Sequence, residues 1–336
     1  MNKVFAIFVL TVILVLFAYL LGPRTKTKPL NHSLPKFDFD INTIEAYVDS
    51  MEEQYDTRTD NKARVLWADS AGLKTEWSVL YLHGFTASWY DGFPINVSFV
   101  KNGCNAFFAR LPGHGLKPPD AMLDMTPEKT YETAKEALAI AKTLGNKVLI
   151  MSCSSGSTLS LQLAADFPDM VDGQILYSPN VKINDKYAGL LTKPWGSRIL
   201  KWIDGGDYHT WRSVLEGNYK NYCDTTFRNE AIIYLQKLLD ETMTSETFGK
   251  VKCPVFMGYY YKDKQHQDPT VKVSAMLDMF DKISTPENKK VKVAFPNADT
   301  HVICNSARSG AVDDVYAASI DFAINVLGIN SGQLQK

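Results

Sequence analysis

The chain has 336 residues, 45% of them hydrophobic, a net charge of −1 and no long run of Lys or Arg. That length buries a large core, as one big α/β domain or a domain carrying an insertion, and the charge balance excludes the concentrated basic face that a nucleic-acid partner requires. Five widely spaced cysteines without a C-x-x-C pair indicate neither a disulfide framework nor a zinc knuckle.

Val4 to Leu21 carries no charge and is flanked by Lys3 and by Gly22, Pro23 and Arg24. As a helix it spans roughly 27 Å, enough for a bilayer core. The segment lacks the small-x-small site of a cleaved signal peptide, so residues 1–22 are read as a transmembrane anchor. The side taken by the rest of the chain is left open: Arg24, Lys26 and Lys28 argue for a cytoplasmic C-terminal side, and the very short N-terminal tail argues the reverse. Residues 23–40, interrupted by Pro23, Pro29 and Pro35, read as a linker. Asp40 and Asn42 are candidate caps for a helix with Ile41, Ile44, Val48 and Met51 on one face.

Strands then alternate with helices over a catalytic domain expected at 41–330. Ala63–Ala68, Trp77–Leu82 and Cys104–Ala109 read as strands, and a helix opened by Thr126 and Pro127 closes at Gly145. Lys147 to Ser157 (K-V-L-I-M-S-C-S-S-G-S) follows. Its apolar run suits a strand buried on both faces, and a helical pattern with Leu159, Leu163 and Phe167 on one face begins after a crowd of small residues. Strand, cramped turn and helix form the setting of a nucleophile elbow, whose usual spelling is G-x-S-x-G. Framed as Ser152-Cys153-Ser154-Ser155-Gly156, the motif makes Ser154 the nucleophile and puts serine in place of the first glycine. Gln174–Tyr177, Val255–Tyr260 and Val291–Phe295 read as further strands, and Val312–Leu327 as a closing helix. Strands separated by helices imply a mostly parallel, doubly wound sheet covered on both faces. Residues 181–250 break the alternation with an aromatic-rich insertion, expected as a helical cap. Trp195, Trp202 and Trp211 are its candidate substrate-binding side chains, set against the alternative that these rings only form the insertion's own small core.

Four segments, H-G-F-T at 83–86, R-L-P-G-H-G at 110–115, S-C-S-S-G at 152–156 and F-P-N-A-D-T-H at 295–301, stand in an order that resembles the α/β-hydrolases, in particular the capped serine esterase and monoacylglycerol-lipase-like group with serine aminopeptidase S33-type enzymes. The resemblance runs from about residue 63 to 327. It implies a sheet of about eight strands with a cap inserted after the strand ending near Ser178, and a chain order of serine, acid, histidine. His301 matches the family histidine. For the acid the resemblance favours Asp263, three residues past a strand end; Asp268 is the rival, but Asp268-Pro269-Thr270 reads as a helix N-cap followed by a first-turn proline. The backbone N–H groups of Phe85 and Ser155 are the expected oxyanion donors.

A serine hydroxyl needs an imidazole to take its proton, and that imidazole needs a carboxylate to fix its tautomer. The expected function is therefore serine-hydrolase cleavage of a carboxylic ester with an apolar, lipid-like acyl part. The alternatives are a peptidase or thioesterase on the same triad, or a catalytically silent scaffold that binds a ligand or partner. No cofactor and no metal are expected, and the sequence leaves the oligomeric state open.

Overall fold

A computed structural model describes residues 3–117, 121–211 and 217–329. The first element, α1 (Lys3–Leu20), has none of its residues buried and a mean hydropathy of 2.6. It is long and apolar enough to cross a bilayer, as a spanning segment or as a signal sequence.

The segment after α1 forms neither helix nor strand, as its prolines dictate, yet it is fastened along its length. Leu30 is buried and its N–H donates to Glu241. The wholly buried Lys135 donates to the carbonyls of Asn31 and Ser33 and pairs with Glu132. A buried ammonium without partners is very costly, so these carbonyls hold the strap down as firmly as they satisfy the lysine. Asp40 accepts from the Asn42 N–H and closes a turn ahead of α2 (Ile44–Glu52), whose N-cap position falls to Thr43 rather than to Asp40 or Asn42.

The catalytic body alternates β1 (Arg64–Leu66), β2 (Thr75–Leu82), α3 (Ile95–Lys101), β3 (Asn105–Phe108), α4 (Pro127–Leu144), β4 (Gly145–Cys153), α5 (Ser155–Asp166) and β5 (Gly173–Tyr177). After β5 come α6 (Gly196–Asp204), a small antiparallel pair β6 (Tyr208–Thr210) and β7 (Thr226–Arg228), α7 (Asn229–Thr242) and α8 (Ser245–Lys250). The core resumes with β8 (Val255–Tyr259), α9 (Val273–Lys282), β9 (Lys290–Ala294) and α10 (Val312–Asn325).

Seven strands form one sheet in the order β1-β3-β2-β4-β5-β8-β9, parallel except for β1. The fold is the expected α/β-hydrolase architecture, with one strand fewer than eight in the sheet among the described residues. Residues 53–63 run as turns with a single bridge, Thr57 to Leu116, instead of an outer strand beside β1. The two faces carry separate apolar layers: Leu80, Leu82, Ile150 and Leu176 pack under α4 and α5, while Val79, Tyr81, Met151 and Ile175 pack on the other side with Phe256 and α10. That division follows from the two-residue alternation of a strand. Chain order reverses at β2 and β4, and such a switch point opens a crevice at the carboxyl ends of the strands.

Candidate active site

The elbow is a matter of crowding. Ser154 sits between β4 and α5 with φ +52° and ψ −117°, a conformation that L-residues rarely adopt. It is clamped by its own N–H donating to the Tyr177 carbonyl (2.9 Å) and by its carbonyl accepting from the Asn180 and Ser157 N–H groups (both 3.0 Å). Two residues on, a Cβ at Gly156 would lie 2.0 Å from the Leu82 carbonyl oxygen, so only glycine lets α5 cross β2 this closely. Two residues before, Ser152 is buried with its hydroxyl against that of Ser157 (3.0 Å). Serine thus fills the first small position and adds a hydrogen bond across the turn.

His301 lies beyond β9, and its Nδ1 is 2.7 Å from Asp268 Oδ2. Asp268 is completely buried. Burial alone would raise its pKa, but His301 and the N–H groups of Val271 and Thr270 hold its carboxyl below the usual range. His301 Nε2 is buried and has no hydrogen-bond partner among the described residues. Ser154 and His301 line the same cavity.

The expectation for Asp263 is corrected. Its carboxylate turns away, accepting from the Gln265 and His266 N–H groups and facing the exposed His266 ring at 2.9 Å. The reason is a detour. Residues 261–267 fold back on themselves, with Tyr261 bridged to Gln267, and the Asp268 N–H bonds the Tyr260 carbonyl. In space Asp268, not Asp263, is the carboxylate that follows the end of β8.

Phe85, in the loop after β2, lines the cavity, and Ser155 opens α5 directly after Ser154. Neither N–H has a hydrogen-bond acceptor among the described residues. The loop carrying Phe85 is shaped by two buried imidazoles. His83 Nε2 accepts from the Leu111 N–H and its Nδ1 donates to the Gly84 carbonyl. Burial drives its pKa down to about 4, so it stays neutral. His114 packs edge-on against it at 4.8 Å, and burial likewise holds it well below the ordinary value.

One cavity residue carried no signal in the sequence. Asp91, fully buried, accepts from the Gly84 N–H (2.8 Å) and from the Tyr81 hydroxyl. Burial pushes its carboxyl up to about 7, against the pull of those two donors, Cys153 and His301. It braces the His83–Gly84 peptide, one residue ahead of Phe85. No motif flags an aspartate eight residues past His83 in an aromatic loop, so only the fold could reveal it.

The cavity measures about 560 Å³, within the range of small-molecule sites. Ala188, Leu191, Leu200, Ile203, Ile232 and Leu235 of the insertion wall it above Ser154. Trp211 lines it and donates to the Thr86 hydroxyl at 3.3 Å. Trp195 and Trp202, the other two candidates, do not line it. Trp195, ahead of α6, packs on the chain leaving α1, and Trp202 is 83% exposed because α6 turns it outward and Leu200 inward. Among the described residues no group of acidic, histidine and cysteine side chains is placed to hold a metal.

The family described as serine aminopeptidase, S33, matches residues 74–296, about two thirds of the chain and the whole span from β2 to the segment before His301. The chain belongs to this family. It is a serine hydrolase on the α/β-hydrolase fold. Solved structures agree on the fold. A chain from the work on LipS and LipT, two metagenome-derived lipolytic enzymes, is 16% identical with a TM-score of 0.65, covering 80% of this chain and 99% of its own. A monoacylglycerol lipase from Paleococcus ferrophilus is 14% identical with a TM-score of 0.59, covering 78% and 98%. A soluble variant of monoglyceride lipase from Saccharomyces cerevisiae, in complex with a substrate analog, is 12% identical with a TM-score of 0.54, covering 77% and 89%. No curated protein matches the chain by sequence.

Proposed function

We propose that this hydrolase cleaves carboxylic esters with an apolar acyl chain, using Ser154, His301 and Asp268 to pass through an acyl-serine intermediate. The observation that carries the reading is the buried 2.7 Å pairing of His301 Nδ1 with Asp268, which leaves Nε2 free toward the cavity that the strained Ser154 also lines. Asp268 fixes the tautomer with the proton on Nδ1, so Nε2 takes the Ser154 proton as Oγ attacks the ester carbonyl. The oxyanion that forms meets the N–H groups of Phe85 and Ser155, both without competing acceptors. Collapse expels the alcohol, which receives the proton from His301. Water, deprotonated by the same Nε2, then releases the acid and restores the serine.

Ester is preferred over peptide on a specific ground. An aminopeptidase substrate brings a free ammonium group, which needs a carboxylate reserved for it. The carboxylates lining this cavity are each engaged: Asp91 by Tyr81 and Gly84, Asp185 by the Tyr187 N–H, Asp204 by His209. The remaining wall is largely aliphatic and aromatic, and the structural neighbours described as lipolytic enzymes and monoacylglycerol lipase fit that wall. Helix α1 completes the reading as an uncleaved membrane anchor.

The test is a set of p-nitrophenyl esters of graded acyl length beside aminoacyl anilides, assayed with the full chain and with Ser154→Ala. Ester turnover that rises with acyl length and disappears in the variant supports the reading. Preferential cleavage of anilides, or folded wild type without acyl turnover, overturns it.

A further inference from the structure

The cap presents to solvent what a soluble domain normally hides. Tyr187, Leu190, Ile199, Trp202 and Ile203 are between 51% and 83% exposed. The spacing of Ile199, Trp202 and Ile203 places them along one stripe of α6, at helical positions i, i+3 and i+4. Contiguous exposed apolar surface of this kind marks an interaction site.

What lies against that stripe is indicated by where α6 begins. Trp195, the residue before α6, sits at φ +69°, a strained setting for a bulky side chain. Its N–H donates to the Pro23 carbonyl (2.9 Å) and its ring Nε1 to the Ala18 carbonyl in the last turn of α1 (3.1 Å). The ring lies so flat on the chain that a Cβ at Gly22 would fall 2.0 Å from Nε1. The cap helix therefore starts at the level where the chain leaves α1. Beyond that level the strap is fixed by Leu30 and Lys135, so the placement is rigid on both sides.

Charge agrees. Between residues 182 and 204 stand Lys182, Lys186, Lys193 and Arg198 against Asp185 and Asp204, with Lys201 paired to Asp207 and Glu230, and Arg24, Lys26 and Lys28 follow α1 directly. Apolar and aromatic residues on one face with basic residues at its margin is the composition of a helix lying in a membrane interface next to anionic headgroups.

We propose that the Tyr187–Leu190 turn and the outer face of α6 are seated in the bilayer leaflet from which α1 emerges, so that the cavity, whose wall includes Tyr187 and Ile203, opens toward lipid rather than toward bulk water. This rests on α1 being a membrane anchor. It also names the source of substrate for the proposed esterase: an acyl ester dissolved in that leaflet.

The experiment uses the full chain in vesicles of phosphatidylcholine and anionic phosphatidylglycerol, with and without bromine on the acyl chains. Helix α1 contains no tryptophan, so any quenching of tryptophan emission comes from the folded domain. The expected result is clear quenching in wild type that falls by about half or more in Trp202→Phe, with the variant still floating with the vesicles. Protein that floats without quenching, or quenching unchanged by Trp202→Phe, overturns the seating of the cap while leaving the anchor intact. Protein that does not float overturns both. A second arm uses Ile199→Glu with Trp202→Glu, two exposed positions outside the cavity wall. Turnover of a water-soluble short ester should stay within about twofold, and turnover of a vesicle-embedded monoacylglycerol should drop by about tenfold or more, since two carboxylates on that face oppose its entry into the apolar layer. An equal effect on both substrates contradicts the proposal, and a total absence of acyl turnover speaks against the esterase reading without touching the quenching result.

Discussion

Replacing Asp268 by asparagine isolates the chemistry of the carboxylate from its structural duty. One oxygen of Asp268 accepts from the Thr270 and Val271 N–H groups at 2.9 and 3.0 Å, and the other faces His301 Nδ1 at 2.7 Å. Asparagine keeps the first set through its carbonyl oxygen, so the loop stays folded and the stability change should remain within about 1 kcal/mol. Its amide then donates to Nδ1, which stabilises the tautomer protonated on Nε2. In that tautomer the imidazole has no lone pair for the Ser154 proton. Loss of the correct tautomer lowers kcat on the order of 10⁴-fold, or about 5.4 kcal/mol of transition-state stabilisation at 1.36 kcal/mol per decade. Asp263→Asn is the control: its carboxylate serves an exposed turn and no group in the cavity, so kcat should stay within about twofold. Steady-state kinetics on a p-nitrophenyl ester, with thermal unfolding to confirm the fold, decide the matter. A large loss in Asp263→Asn with Asp268→Asn near wild type would refute the reasoning.

Three further outcomes follow from the same geometry. Gly156→Ala forces a methyl group to within 2.0 Å of the Leu82 carbonyl, and overpacking against backbone should cost at least about 3 kcal/mol; a denaturant midpoint equal to that of wild type contradicts it. Asp91 has a folded-state pKa of about 7, above the value near 3.9 of an unfolded aspartate. It therefore takes up a proton on folding, and its stabilising contribution is whole below about pH 4 and is lost as pH rises through 7, by up to roughly 1.4 kcal/mol per unit and about 4 kcal/mol in all. Asp91→Asn should flatten the stability profile over that window, and an unchanged slope in chemical denaturation would count against it. Trp211→Ala should raise KM for long acyl esters several-fold because that ring lines the cavity, whereas Trp202→Ala should leave the KM of a soluble ester unchanged.

Much of this architecture could be read from residue order. The uninterrupted apolar run before Ser154 specified a strand buried on both faces, and the glycine two residues after it specified a crossing too tight for any Cβ. The pairing of His301 with Asp268 rather than Asp263 is not legible in the sequence, which gives Asp268 a single task. Asp268-Pro269-Thr270 does spell a local turn, and Asp268 does satisfy two N–H groups, but its second oxygen remains free for His301. The helix that the spelling suggested begins only at Val273. Trp195 and Trp202, unlike Trp211, lie outside the cavity for a longer-range reason. Trp195 is held by the end of α1, a contact across some 177 residues, and α6 packs against α7 and β6; periodicity registers neither. Asp91 was invisible because a buried carboxylate announces itself only through the backbone N–H it accepts.

The central claim is that Ser154 is the acylated nucleophile, activated by the His301–Asp268 pair. Labelling of the folded protein with a fluorophosphonate, followed by mass mapping of the modified peptide, tests it most directly. The account predicts a single adduct on Ser154, absent in Ser154→Ala and strongly slowed in His301→Ala and Asp268→Asn. Folded wild type that stays unlabelled, or an adduct on a different serine that survives Ser154→Ala, would contradict it.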